Sequence, residues 1–340
     1  MNNGKINFKN AHGFWQKLPR PFFCLAPMAE VTDFPFREII AKYSRHGNPP
    51  VGGGGGGGPD IFWTEFVSAD GLDSRGRDKL VHNLKFSKKQ KPIVAQLFGA
   101  KPESMRRAVA YVATLGFDGI DINLGCPDRS VQKQGAGAAL IKTPKLAREV
   151  VRAAIEGANG LPVSVKTRLG YNKVEIETWI PELLKEDISA LIIHGRTKKE
   201  MSLVPAHWDL IKRVVELVRA SGKDIPVIGN GDVQNLAEAK ARIQETGCDG
   251  IMFGRAIFGK PWLFDAKAKV PSVKDKLRVL LEHSKLFEKE FSGVKNFAVM
   301  KKHYKAYVSG FDGAKELRTE LMNAVDYKEV EKIIKNYIHL

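Results

Sequence analysis

The pattern that most restricts the fold of this 340-residue chain is a series of eight short apolar runs, most of them separated by a segment long enough for one helix. The runs have the length and apolar content of buried strands. They cover residues 22–28, 61–66, 92–99, 119–127, 161–168, 190–196, 226–232 and 250–255. Their combined span is close to the ~250 residues of a (β/α)8 barrel. The sequence therefore predicts an α/β protein whose main domain is a TIM barrel.

A doubly wound open sheet is the alternative fold, because it also alternates strands with helices. Sheets of that kind that bind dinucleotides carry a GxGxxG turn after their first strand. The first run of this chain is not followed by such a turn. We therefore prefer the barrel and keep the open sheet as the second possibility.

Several segments between the runs carry helix signals. Residues 34–43 place Pro35 in a first turn, and residues 102–115 repeat apolar residues at helical spacing before Gly116. Thr143 and Pro144 are suited to the N-cap and first turn of a helix through Glu156. These signals predict helices that cover the outside of the barrel.

The pattern changes after residue 264, where strand-like alternation ends and helical spacing continues to the C-terminus. We expect residues 1–264 to form the barrel and residues 265–340 to form a small all-helical domain. The second part carries sixteen Lys and Arg against eleven Asp and Glu, so it is basic. It is either a surface for a polyanion or a cap that only completes the packing of the barrel.

Polar residues are concentrated at the carboxyl ends of the runs. They are Gln96, Asn123, Cys126, Lys166, His194, Asn230, Asp232 and Arg255. In a (β/α)8 barrel the carboxyl ends of all strands surround one mouth, and active sites are built there. We therefore expect these residues, which are remote in sequence, to form one site.

Cys126 is the candidate reactive group, because Gly125 and Pro127 bracket it at the end of a strand. Glycine allows unusual backbone angles and proline restricts its neighbour, so the pair predicts a loop that displays the thiol. Cysteine also behaves as a small apolar residue, so a turn that merely contains a cysteine is the alternative.

The late loops at 229–232 and 254–255 predict a phosphate site. Loops after the last two strands of such barrels often bind phosphate through backbone amides, and Arg255 adds charge. Lys166 could stabilise negative charge on a cofactor or substrate. The alternative for the two loops is that they are ordinary glycine turns. The alternative for Lys166 is a lysine held in a salt bridge within the barrel. His194 could donate a hydrogen bond, and since no second His lies at ligand spacing, we expect no metal.

Composition limits the partners and the compartment. A net charge of +16 favours a polyanion, either nucleic acid or a membrane surface, over a merely basic protein. No apolar run is long enough for a membrane span, and the N-terminus lacks the apolar segment of a signal peptide. The three cysteines include no CxxC pair. We therefore expect a cytoplasmic protein. A monomer without a membrane partner is a separate expectation, which composition does not establish.

Seven consecutive glycines, Gly52 to Gly58, interrupt the segment before the second run. They predict a flexible loop, because a run of glycines has high backbone entropy and no side chains to pack. We reject a phosphate-binding P-loop, because no Lys-Ser or Lys-Thr follows the run.

Taken together, the motifs resemble the tRNA-dihydrouridine synthase family. They occur in that family's order at residues 26–33 (APMAEVTD), 64–66 (TEF), 123–127 (NLGCP), 165–168 (VKTR), 194–196 (HGR), 229–232 (GNGD) and 254–255 (GR). The resemblance extends to 300–303 (MKKH) and 317–318 (LR), and the glycine run departs from it.

The resemblance implies an FMN-dependent enzyme that reduces a uracil base in tRNA with NADPH or NADH. It implies cofactor contacts from Pro27, Met28, Ala29, Gln96, Lys166, His194, Asn230, Gly231, Asp232, Gly254 and Arg255. It implies substrate contacts from Asn123, Arg168, Lys301, Lys302, His303 and Arg318. Cys126 would be the proton donor. The motifs leave the position of the reduced uridine open.

Two other functions are kept as alternatives. The first is a flavin enzyme acting on a free pyrimidine, like dihydroorotate dehydrogenase, although a small substrate does not require a basic helical domain. The second is a non-catalytic RNA-binding protein on a degenerate barrel, although the polar set at the mouth is intact.

Overall fold

A computed structural model describes residues 13–44 and 58–339 of the chain. Nine parallel strands form one sheet. They are β1 (Phe22–Leu25), β2 (Phe62–Trp63), β3 (Val67–Ser68), β4 (Ile93–Phe98), β5 (Gly119–Leu124), β6 (Val163–Arg168), β7 (Ala190–His194), β8 (Val227–Asn230) and β9 (Gly250–Phe253). Gly52 to Gly57 of the glycine run lie outside the described residues.

The strands close into a barrel. Their order is β1-β9-β8-β7-β6-β5-β4-β2, and β3 is a short addition that also pairs with β4. Between β1 and β2 the ring is completed by a parallel bridge of Cys24 with Ile61. Nearly every strand residue is buried, as expected when a parallel sheet has helices on one face and a filled interior on the other. The predicted (β/α)8 barrel is confirmed.

Helices follow the strands around the outside. They are α1 (Phe34–Tyr43), α2 (Ala69–Leu72), α3 (Pro102–Ala113), α4 (Arg129–Lys133), α5 (Pro144–Gly157), α6 (Ile176–Leu183), α7 (Trp208–Ala220) and α8 (Leu236–Thr246). Helix α1 begins as predicted, and the Asp33 side chain caps it by accepting from the Phe36 N–H. Thr143 occupies the predicted N-cap of α5, although its side chain makes no capping hydrogen bond.

The C-terminal region is helical, as predicted. Its helices are α9 (Val273–Phe291), α10 (Lys301–Tyr307), α11 (Ala314–Leu321) and α12 (Tyr327–His339). Helix α9 starts with a capping box of Ser272 and Asp275, and its His283 stacks on Phe36 of α1 at 5.0 Å. Because buried apolar residues of the barrel and of these helices form one continuous cluster, the division at residue 264 stays a prediction.

Within the described residues, no helix combines the length and the apolar character that a membrane span requires.

Candidate active site at the carboxyl end of the barrel

A cavity of about 290 Å³ opens at the carboxyl ends of the strands. Most of the predicted site residues line it. They are Pro27, Met28, Gln96, Asn123, Cys126, Lys166, Arg168, His194, Asn230, Gly231, Asp232, Gly254 and Arg255. Ala29 is exposed and lies outside the lining, although Pro27 and Met28 before it belong to the wall. The barrel therefore brings together residues that are more than two hundred positions apart in sequence.

A chain of hydrogen bonds among side chains of β4, β5 and β6 supports the Cys126 loop. The Asp121 carboxylate, fully buried on β5, accepts from Ser164 Oγ and from Gln96 Nε2, each at 2.6 Å. Because a carboxylate only accepts here, the Gln96 amide is oriented with its oxygen towards Asn123. Asn123 Nδ2 donates to that oxygen at 2.9 Å.

The other end of Asn123 fixes the loop itself. Its Oδ1 accepts the backbone N–H of Gly125 at 3.1 Å and of Cys126 at 2.8 Å. Both polar ends of this amide are therefore used within the protein, and one Nδ2–H remains for a ligand. The expected contact of Asn123 with a base depends on that one donor.

Cys126 is partly exposed to the cavity, and the chain beside it packs tightly. Its carbonyl accepts from the Ala138 N–H at 3.0 Å. Gly137 has φ +62°, and a Cβ added there would lie 2.9 Å from the same carbonyl oxygen. Burial raises the pKa of the Cys126 thiol above its ordinary value. The group is therefore a protonated thiol at neutral pH, not a thiolate.

Lys166 places a cation in the wall of the cavity. Its Nζ donates to Asn230 Oδ1 at 3.1 Å, and Asn230 is oriented because its Nδ2 donates to the Met252 carbonyl at 2.8 Å. Burial, reinforced by the charge of Arg168, lowers the pKa of Lys166 to about 8. Among the described residues, Asn230 is the one hydrogen-bond acceptor of this ammonium, so it can still hold an acceptor or anion in the cavity.

His194 enters the cavity as a neutral ring. Arg196 Nη1 lies 3.1 Å from His194 Nε2, which must accept because guanidinium only donates. Burial lowers the pKa of His194 well below its ordinary value, and the nearby Arg168 and Lys166 charges lower it further. Among residues 13–44 and 58–339, no group of three His, Cys, Asp or Glu is placed to bind a metal ion.

Asp232 organises the two arginines at the late loops. Its carboxylate pairs with Arg196 and accepts from Arg255 Nη2 at 3.0 Å and from the Ala206 N–H at 2.9 Å. A carboxylate repels phosphate, so this side chain positions Arg255 instead of contacting a phosphate. The preceding Gly231 has φ +139°, and a Cβ there would meet Ala206 at 2.6 Å. Glycine is therefore required at this turn.

Arg168 is largely structural. Its Nε donates to the Gly125 carbonyl at 2.8 Å, and its Nη1 donates to the carbonyls of Thr197 and Met201, both at 3.0 Å. It joins the Cys126 loop to the loop after β7. Its side chain still lines the cavity.

The predicted RNA-binding residues of the C-terminal helices lie outside the cavity. Lys301 is partly exposed, Lys302 pairs with Glu30, and Arg318 donates to the Val308 carbonyl at 2.7 Å. His303 is only 1% exposed and packs against Phe36 with ring centroids 4.7 Å apart. This burial contradicts the expected contact of His303 with RNA, because helical spacing alone did not show which face of α10 is buried.

Four residues in or around the site were not anticipated in these roles. Asp121 is the acceptor at which the hydrogen-bond chain to the Cys126 loop begins. Arg196 fixes the tautomer of His194. Glu65 forms a nearly buried ion pair with Lys295 at 2.9 Å. The signal for Asp121 was a charged residue inside an apolar strand, whereas nothing in the sequence pointed to Lys295.

Comparison with known proteins gives three findings. The family model described as dihydrouridine synthase (Dus) matches residues 24–339. A probable tRNA-dihydrouridine synthase 2 of Bacillus subtilis is 40% identical over 328 residues, covering 95% of this chain and 96% of the relative. A probable tRNA-dihydrouridine synthase of Staphylococcus aureus (strain MRSA252) is 38% identical over 327 residues, covering 95% of each chain.

Among solved structures, histamine dehydrogenase from Rhizobium sp. 4-9 matches with a TM-score of 0.50 at 15% identity. The match covers 78% of this chain and 48% of the dehydrogenase. At that identity the likeness concerns the barrel fold alone.

Proposed function

The chain belongs to the dihydrouridine synthase family, and on that premise we propose that it reduces the C5–C6 double bond of a uridine in tRNA, with FMN as cofactor and NADPH or NADH as reductant. The Cys126 thiol donates a proton to the base. The observation that carries this proposal is that one cavity holds two groups, a protonated thiol on a supported loop and an ammonium that has one acceptor among the described residues.

The residues present fit a flavin mononucleotide. Lys166 can meet the polar edge of the ring, and Gln96 retains one N–H after its hydrogen bond to Asp121. The glycine turn at Gly231 and the aligned Arg255 suit a phosphate. A Cβ at Gly254 would meet nothing closer than 4.0 Å, so that backbone is open to a ligand.

The division of labour follows from these groups. When bound, the flavin would supply a hydride, which is two electrons and one hydrogen, to one carbon of the double bond. The other carbon must receive a proton, and Cys126 holds one because burial raises the pKa of its thiol. Asn123 keeps the loop in place, and Lys166 stabilises negative charge opposite it.

The substrate is proposed to be tRNA because of the charge of the protein and the names of its relatives. A uridine inside folded RNA reaches a barrel mouth only when it is turned out of the stack. Binding the rest of that polyanion is favoured by the net charge of +16. Lys301, Lys302 and Arg318 remain proposed contacts on the helical side.

The cofactor is tested by heating the purified protein and separating what is released. FMN is expected, whereas FAD, or no flavin after reconstitution, would contradict the assignment of the late loops.

The substrate is tested by offering uridine, orotate and unmodified tRNA to the same enzyme with NADPH or NADH. We expect the enzyme to reduce tRNA and neither uridine nor orotate. Reduction of orotate and not of tRNA would favour the free-pyrimidine alternative.

A further inference from the structure

A second concave surface lies beside the active-site cavity, on the loops that follow β6 and β7. It includes Lys173, Val174, Lys199 and Leu203. We call this surface, together with two adjacent lysines and a tyrosine, the lysine platform. Its members are Lys142, Tyr171, Lys173, Lys198, Lys199 and Leu203.

The platform carries positive charge that the protein does not neutralise. The Lys142 and Lys198 ammonium groups lie 4.6 and 5.0 Å from the centre of the Tyr171 ring. Within the described part of the chain, none of the four lysines forms an ion pair. Glu200 also lines this surface, but its carboxylate is turned to other partners. It accepts from the Thr197 N–H at 2.7 Å and lies 3.0 Å from His207 Nε2.

An exposed apolar group stands next to this charge. Leu203 is 85% exposed, and the neighbouring Val174 and Met201 are 43% and 40% exposed. Met201 lines the active-site cavity, whereas Leu203 lines the second surface. The loop between them is therefore a wall shared by the two sites.

Hydrogen bonds of two side chains, those of Arg168 and Gln132, connect the lysine platform to the Cys126 loop. Arg168 bridges the Gly125 carbonyl and the Thr197 and Met201 carbonyls. Gln132 donates to the Pro127 carbonyl at 2.5 Å and accepts from Tyr171 Oη at 2.7 Å. A ligand on the platform thus has a fixed position relative to Cys126.

The order of strands places the platform opposite the helical region. Around the ring, β6 is four strands from β1, and β7 is four strands from β2. The helical region contacts the loops after β1 and β2, through Lys302 with Glu30 and Lys295 with Glu65. Lysines therefore flank the mouth on both sides.

We propose that the lysine platform binds backbone phosphates of the RNA strand next to the target uridine, with Leu203 packing against a neighbouring ribose or base. This inference rests on the proposed function, since it concerns how the same substrate is held. Lysine is a strong ligand of phosphate groups, and apolar side chains often contact nucleotides displaced from a stack. RNA held on both sides of the mouth would keep the uridine between them.

The test compares two pairs of charge reversals in the full-length protein. Lys173→Glu with Lys199→Glu removes exposed platform lysines. Lys212→Glu with Lys240→Glu, at exposed positions of α7 and α8, is the matched control. Affinity for unmodified tRNA is measured by filter binding over a salt series, with circular dichroism as a check on folding.

The platform pair should weaken binding at least tenfold at about 0.1 M salt and lower the salt slope by roughly 0.7–0.9 per lost contact. The control pair should change both quantities much less. Leu203→Ser should weaken binding with no change in slope, because its contact is apolar. Equal affinities and slopes in the platform and control pairs would overturn the inference. If the wild-type protein neither binds nor reduces tRNA, both the proposed function and this inference are wrong.

Discussion

At the scale of single residues, the site depends on a buried carboxylate that does not line the cavity. Asp121 accepts from Gln96 and Ser164, and the chain continues through Asn123 to the Cys126 loop. Asp121→Ala removes the acceptor of the buried Gln96 amide, at a cost of about 1–3 kcal/mol. Ser164 Oγ can still donate to the Ile120 carbonyl, which lies 3.2 Å away. We expect slower tRNA reduction and faster alkylation of Cys126, because the loop is loosened.

Asp121→Asn is the matched control for this position. Its oxygen can still accept from Gln96, and its amide can donate to the Ser164 hydroxyl. We therefore expect much of the activity and of the thiol protection to be retained. If Asp121→Ala is alkylated at Cys126 and reduces tRNA at the same rates as the wild type, the Cys126 loop keeps its conformation without Asp121.

Lys166 predicts a pH dependence of flavin binding. Burial lowers its pKa to about 8, so the free protein loses this charge as pH rises through that value. If the bound flavin needs the charged form, affinity should be constant below pH about 8 and should fall above it. Fluorescence titration with FMN from pH 6 to 10 measures this.

Lys166→Met is the control, because it has no group to titrate. We expect weaker FMN binding in this variant and no fall in affinity near pH 8. If wild type and variant show the same pH profile, Lys166 does not contact the cofactor.

The sequence identified the titratable residues of the mouth but not their connections. Cys126, Lys166 and Arg255 stood out because each is polar at a strand end. Which donor meets which acceptor depends on three-dimensional geometry, so the role of Asn123 in supporting the loop was not visible. For the same reason Asp232 was expected to hold phosphate, although its carboxylate pairs with Arg196 and Arg255.

At the scale of elements, helix signals were more informative than strand signals. Helix α1 matches its predicted bounds, because Asp33 and Pro35 are local start signals. The run at 61–66 is instead divided, with β2 ending at Trp63 and β3 starting at Val67. Thr64 Oγ1 accepts the Gln96 N–H at 3.2 Å, so a side chain replaces the backbone acceptor there. Apolar content alone cannot reveal such an interruption.

The contact between the helical region and the barrel gives a prediction for stability. Glu65 and Lys295 have side chains only 6% and 13% exposed and lie 2.9 Å apart. Lys295→Met leaves the buried Glu65 carboxylate without its cationic partner, although the Glu30 N–H still donates to it at 2.5 Å. Loss of one partner of a buried ion pair costs about 3–5 kcal/mol in comparable cases. Lys295→Met combined with Glu65→Gln should be less destabilised than Lys295→Met alone. Urea denaturation measures all three proteins, and equal stability of Lys295→Met and wild type would contradict the argument.

At the scale of the whole molecule, the barrel and the C-terminal helices share one continuous cluster of buried apolar residues. Phe36 of α1 packs against both His283 and His303 of the C-terminal helices, so removing those helices would expose core. Point substitutions are therefore better tests than truncation at residue 264. The barrel was predictable because eight runs with polar ends fit few other folds, whereas the packing of α9 on α1 left no sequence signal.

The most direct test is mass mapping of unmodified tRNA after incubation with NADPH and flavin-loaded wild type or Cys126→Ala. Wild type should add two hydrogen atoms to a uridine. The variant should keep its flavin and its rate of flavin reduction by NADPH but modify tRNA ~10²–10⁴-fold more slowly, because the positioned acid is lost. A wild-type rate in the variant would make Cys126 a loop residue only. No dihydrouridine with wild type would contradict the account as a whole.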